Sequence, residues 1–216
     1  MDFAVIWKYL PVLAKGAVTT VELTALAVVI GTLLGLVIAF AAISKNVILK
    51  GFARFYTWLI RGTPLLLQLF LIYYGLPQLG LTLSPFAAAV AGLSINSAAY
   101  IAEIVRAAIQ SIDKGQMEAA RSIGMSYFQA MSRVILPQAY LRMIPPLGNE
   151  FIALLKDSSL VATISMVDLM RTAQQMYATT FRPMEIFIAA GALYLLLTTF
   201  FTVTFGRLER KLAVYQ

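Results

Sequence analysis

The 216-residue sequence has no cysteine and no histidine, and only 12% of its residues are charged. Without cysteine there is no disulfide, no thiol nucleophile and no thiolate metal site. Without histidine the commonest general base and the commonest metal ligand are missing as well. The shortage of charge says more, because a soluble domain carries about 25% Asp, Glu, Lys and Arg. Residues 1–16 lack the basic head, apolar core and small-residue cleavage site of a removable signal peptide, so the first span is expected to stay in the mature chain. No Gly-x4-Gly-Lys-Ser/Thr phosphate loop occurs either, so the chain offers no recognisable nucleotide site of its own.

What fills the space is apolar. The chain is 60% hydrophobic, with a mean hydropathy of +0.82. Uncharged runs at 23–43, 62–83, 83–102 and 186–206 each approach the roughly 20 residues that a bilayer-spanning helix needs. An all-α membrane protein is expected, as one transmembrane domain over residues 1–216. The spans read as 16–43; 52–79, with a polar break at Arg61-Gly62-Thr63-Pro64; 85–110, capped by Ser84 ahead of Pro85; an interrupted fourth, 143–155 and 160–167; and 186–206.

Basic residues orient these five spans. Lys45, Lys50, Arg54 and Arg61 follow the first span, Arg106, Lys114, Arg121, Arg133 and Arg142 lie between the third and fourth, and Arg207, Arg210 and Lys211 form the tail. The opposite side holds only Lys8, Lys15, Arg171 and Arg182, so the positive-inside rule places the N-terminus outside and the C-terminus in the cytoplasm. The net charge of +7 is therefore read as a topology signal in a lipid bilayer, not as a nucleic-acid surface.

One cytoplasmic loop, about 113–137, reads as structured. Asp113 with Gln116, and Ser126 with Gln129, have the spacing of capping boxes for two short helices. Gly124 between them suits a left-handed turn, and Pro137 is expected to stop the second helix. Periodicity alone would also allow a plain amphipathic connector.

Within this loop Glu118-Ala119-Ala120, then Gly124, then Leu136-Pro137 resembles the cytoplasmic motif of ABC importer permeases, with Val134 where isoleucine is usual. The stretches at 16–35, 61–77, 97–112 and 148–165 are similar to the polar amino-acid, histidine/glutamine-type branch of that family. The resemblance implies a type I ABC importer permease core with five helices in the bacterial plasma membrane. It implies that Glu118, Ala119, Ala120, Gly124, Leu136 and Pro137 couple to two copies of a separate ABC ATPase. Magnesium and ATP would then be bound there, and this chain would carry no cofactor. It also implies a second permease copy or paralogue, and an extracytoplasmic amino-acid-binding protein. The alternative is a stand-alone ion-coupled carrier or channel, which needs neither the knob nor an ATPase.

Ionisable residues inside a membrane are costly and are functional candidates by default. Asn96, Tyr100 and Glu103 share one face of the third span. Glu150 and Asp157 share a face of the fourth, with Asn149 and Lys156 beside it. At 1.5 Å per residue, Asn96 lies about 16 Å from Pro85, Glu150 about 12 Å from Arg142, and Glu103 about 27 Å from Pro85, near the inner boundary. Glu103 is equally an ion pair with Arg106, and Asn96 equally an interhelical hydrogen bond. Residues 156–159 offer capping groups that could open a half-helix whose N-terminus, with Lys156, attracts a carboxylate. A polar L-amino acid with a basic side chain suits such a site: arginine, lysine or histidine, with glutamine also accommodated.

Overall fold

The computed structural model describes residues 3–212, which are helical with short connections. Helix α1 (Phe3–Ile43) is 41 residues long and starts well before residue 16. Its first turns are held by tertiary contact: Val5, Ile6, Tyr9 and Leu13 pack with Leu169, Ala173 and Ile186, and the helix runs through Pro11. Helix α2 (Val47–Arg61) is capped by Asn46, whose side chain accepts from the N–H groups of Ile48 and Leu49. Helix α3 (Leu65–Phe70) continues through a π turn, Leu71–Gly75, and a 3-10 turn, Leu76–Leu79.

The second span starts five residues before the expected 52, and the polar break read at residues 61–64 is a sharp bend. Its two arms, Val47–Arg61 and Leu65–Leu79, meet at 101°. Pro64 supplies the cause: it has no N–H to donate, and its ring disfavours a helical conformation at Thr63.

Helix α4 (Pro85–Gln110) begins where the sequence placed it, with the Ser84 hydroxyl accepting from the Ala87 N–H. It is the axle of the bundle, lined with Ala88, Ala89, Gly92, Leu93, Ala98, Ala99 and Ala102. Gly31 and Gly35 let α1 approach it closely. A Cβ at Gly31 would lie 3.1 Å from Ser97 Cβ, and one at Gly35 would lie 3.0 Å from the Ala98 carbonyl oxygen. Such small-x3-small stripes allow the backbone packing that drives association in lipid.

Helices α5 (Lys114–Ser122) and α6 (Tyr127–Ala130) form the knob, joined through Gly124 at φ +90°. The Ser126–Gln129 capping box forms in both directions, with 3.2 and 2.8 Å bonds. The Asp113–Gln116 box does not. Asp113 caps through the Gly115 N–H, while the Gln116 side chain accepts from Gln138 at 3.4 Å.

Pro137 does not end the second helix. A π turn, Met131–Ile135, carries α6 directly into α7 (Leu136–Asp157), with Pro137 in its first turn. Widening the helix just before a proline removes the need for the hydrogen bond that the ring cannot make. Nor does α7 break at 156–159 into a capped half-helix. It tightens into a 3-10 turn, Ser158–Ile164, with no side-chain cap at the junction, and ends at Ser165 with φ 65°.

Helix α8 (Leu169–Thr180), absent from the sequence reading, is capped by the buried Asp168. Gly16 brings α1 against its start, where a Cβ on that glycine would lie 2.9 Å from Leu169 Cα. Helix α9 (Pro183–Leu212) closes the bundle, and Gly148 of α7 packs on its Phe205. Among the described residues α1, α4 and α9 are each long and apolar enough to cross a membrane, and the bent α2–α3 pair makes a fourth when taken as one span. The outer surface of the bundle is apolar, with Leu33, Val37, Trp58, Leu195 and Phe200 well exposed. A soluble protein buries such side chains, whereas lipid tails solvate them as well as a core does.

Candidate functional site

The break in the second span frees backbone carbonyls that lipid cannot satisfy. Gln68, buried on the first turns of α3, satisfies them. Its Nε2 donates to the carbonyls of Ile60 (2.8 Å) and Thr63 (3.1 Å) and to Thr63 Oγ1 (3.0 Å). Its Oε1 accepts from Asn96 Nδ2 at 3.0 Å. Asn96 thus makes the interhelical hydrogen bond that was one of its two readings, and it does so at the wall of a cavity.

That cavity, about 440 Å³, lies between the break and the C-terminal half of α7. Thr63, Pro64 and Leu65 form one wall, Asn96 and Tyr100 of α4 a second, and Glu150, Ala153, Leu154 and Asp157 of α7 a third, with Leu160 beyond. Its size falls within the roughly 300–1,000 Å³ of small-molecule sites. Among the described residues, no cation lies within ion-pair distance of Glu150 or Asp157. Four of the residues singled out from sequence, Asn96, Tyr100, Glu150 and Asp157, therefore converge here.

Three do not. Glu103 lines other hollows nearer the C-terminal end of α4 and is held by Arg106, through Nε to Oε1 at 3.1 Å and Nη2 to Oε2 at 2.7 Å. Arg61 adds a 3.6 Å contact to the same carboxylate. Asn149 and Lys156 are exposed and line no part of the cavity. Each is one residue from a cavity-lining position, and one residue turns a helix by about 100°.

The sequence reading also passed over residues that flank or brace the site. Arg61 ends α2 at the break, its guanidinium 5.3 Å from the centre of the Tyr100 ring, a cation–π distance. Gln68 and Thr63 hold the break. A glutamine in an otherwise apolar run just after a Gly-Thr-Pro interruption was the available signal.

At the other end of the molecule, Glu118, Ala119 and Gly124 are exposed on the knob, beside the exposed apolar side chains of Ile123 and Phe128. Ala120 is buried against the rest of the loop. Leu136 and Pro137 lie at the start of α7, where Leu136 packs into the core formed by the inner ends of α1 and α4.

Comparison with known proteins agrees with this architecture. The arginine transport system permease protein ArtQ of Bacillus subtilis is 42% identical over 213 residues, covering 98% of this chain and 97% of its own. The glutamine transport system permease protein GlnP of Escherichia coli K12 is 40% identical over 215 residues, covering 99% and 98%. A crystal structure of an amino acid ABC transporter with histidines contains a chain that is 46% identical, with a TM-score of 0.94 and coverage of 98% and 99%. Residues 7–214 match the family described as the binding-protein-dependent transport system inner membrane component. The chain belongs to that family and is an amino-acid ABC transporter permease.

Proposed function

We propose that this chain is the membrane-spanning subunit of an ATP-driven importer that carries basic L-amino acids across the bacterial plasma membrane. In this reading five spans cross the bilayer with the N-terminus outside. The chain pairs with a second permease copy or paralogue and docks two ATPase copies through residues 113–137. It receives substrate from an extracytoplasmic amino-acid-binding protein.

The observation that carries the substrate class is the cavity at the broken span. Two carboxylates, Glu150 and Asp157, line it with no cation within ion-pair distance among the described residues. A guanidinium or ammonium entering there supplies the countercharge that the partly buried Glu150 and the exposed Asp157 lack, whereas glutamate would add a third negative charge. Arg61, over the Tyr100 ring at the cytoplasmic side of the cavity, takes the role of facing the substrate carboxylate that the sequence had given to Lys156. Asn96 and Tyr100 offer the polar contacts that also allow glutamine. The named substrates of the relatives, arginine and glutamine, and the histidines in the solved transporter support the same range.

The test is Glu150→Gln in the assembled transporter. Arginine and lysine uptake should fall roughly tenfold or more, the size of one lost charge-assisted hydrogen bond, while the binding protein keeps its affinity. Unchanged uptake of both would remove Glu150 from the site.

A further inference from the structure

A second and larger hollow, about 790 Å³, opens at the cytoplasmic ends of α1, α2, α4 and α5. Lys50 and Arg54, one turn apart on α2, line it together with Arg106 from the end of α4 and Lys114 from the first turn of α5. Two carboxylates share the lining and both are already engaged. Glu103 is held by Arg106, and Asp113 accepts from the Gly115 N–H at 2.7 Å. Among the described residues, no carboxylate lies within ion-pair distance of Lys50, Arg54 or Lys114. The hollow thus holds an excess of positive charge that the chain itself does not neutralise.

Its neighbour is lined mainly by apolar side chains, interspersed with Ser44, Lys45 and Arg121. A hollow of about 660 Å³ shares Ile43, Met117, Tyr127 and Met131 with it, and continues along Phe40 and Phe128. The outer side of α2 presents Ile48, Phe52, Phe55 and Trp58, all exposed, as a lipid-facing helix does. A cationic chamber joined to a mainly apolar trough that carries two more cations, at the depth of the inner interface, matches one kind of molecule, with an anionic head and a hydrocarbon tail.

We propose that this hollow binds the headgroup of an anionic phospholipid of the cytoplasmic leaflet, with an acyl chain along the adjoining trough. The assignment rests on the orientation given above, which puts residues 113–137 in the cytoplasm. The headgroup joins Lys50 and Arg54 of α2 to Lys114 at the root of the knob, and so fastens the knob to the membrane-embedded bundle. A soluble phosphate would satisfy the cations but leave the trough unused.

The two tryptophans, Trp7 and Trp58, provide the readout. Trp58 lies one turn beyond Arg54, so in a Trp7→Phe background its fluorescence reports the lipid beside the hollow. In phosphatidylcholine vesicles, brominated phosphatidylglycerol should quench Trp58 more strongly than brominated phosphatidylcholine at equal mole fraction. Arg54→Gln and Lys114→Gln should each lower that preference roughly fivefold. Arg210→Gln, on the tail and outside the hollow, should keep it. Lys114 lies in the loop, so its variant reads the site even where a change on α2 disturbs insertion. Equal quenching by the two lipids would overturn the proposal. So would a loss with Arg210→Gln as large as with Arg54→Gln, which is a diffuse surface-charge effect. Abolition of the preference by inorganic phosphate at matched ionic strength would make this a soluble-anion site instead. Because no transport is measured, failure here and failure of the importer reading are separate results.

Discussion

Gln68 shows how a single side chain keeps an irregular backbone inside a membrane. The turn at Gly62 to Pro64 leaves the Thr63 carbonyl without a backbone donor and the Ile60 carbonyl with only long 3.4 Å bonds from the Thr63 N–H and hydroxyl, and one amide answers both while accepting from Asn96. Gln68→Leu removes all of the amide's bonds in one step. Each buried group left unpaired costs about 1–3 kcal/mol, so the variant should unfold at a clearly lower temperature in detergent than the parent. A melting point equal to the parent's would mean that water or another group satisfies the break. Glu150, Asp157, Tyr100 and Asn96 were legible in the sequence because faces of long helices follow from spacing alone. Arg61 was not legible, since its place beside the cavity depends on the 101° bend and not on any periodicity.

Among the elements, α4 was the most predictable and α7 the least. Ser84-Pro85 is a local signal for a helix start, and nothing tertiary overrides it. Pro137 is an equally strong local signal for a stop, yet the π turn before it absorbs the missing donor and the helix continues. Helix α8 escaped notice because it is short and largely polar, and what holds it is contact with α1 and α9. The packing of α1 on α4 gives a test at this scale. A Cβ at Gly35 meets the Ala98 carbonyl oxygen at 3.0 Å and Ile101 Cγ2 at 2.9 Å, while one at Gly51 meets nothing within 4 Å. Gly35→Val should therefore destabilise by about 1–3 kcal/mol, as overpacking does. Gly51→Ala should be neutral or slightly stabilising, and thermal melts of the two variants side by side check both. The knob gives another test. Gly124 sits at φ +90° with open space around it, so Gly124→Val strains the backbone without a clash. The expected result is an inserted, folded permease whose complex hydrolyses ATP with little transport, read from ATPase and uptake assays on the same preparation.

Taken whole, the molecule has two distinct regions of interest. Near its middle, a cavity at a broken helix gathers carboxylates and polar groups suited to a small zwitterion. About 20 Å or more away along α7, at 1.5 Å per residue from Glu150 to Leu136, a rigid knob presents Glu118 and Gly124 beside exposed apolar side chains. The single helix of α7 connects the two, and in the proposed importer it is the path from the knob to the cavity wall that carries Glu150. The sequence holds no phosphate loop, so in the proposed importer the ATP-hydrolysing engine is a separate chain. The most direct measurement uses proteoliposomes carrying the permease either alone or with its ATPase and binding protein. The account predicts accumulation of arginine only in the complete assembly with ATP on the ATPase side, and none by the permease alone under a proton or sodium gradient. Robust gradient-driven uptake by the permease alone would contradict it.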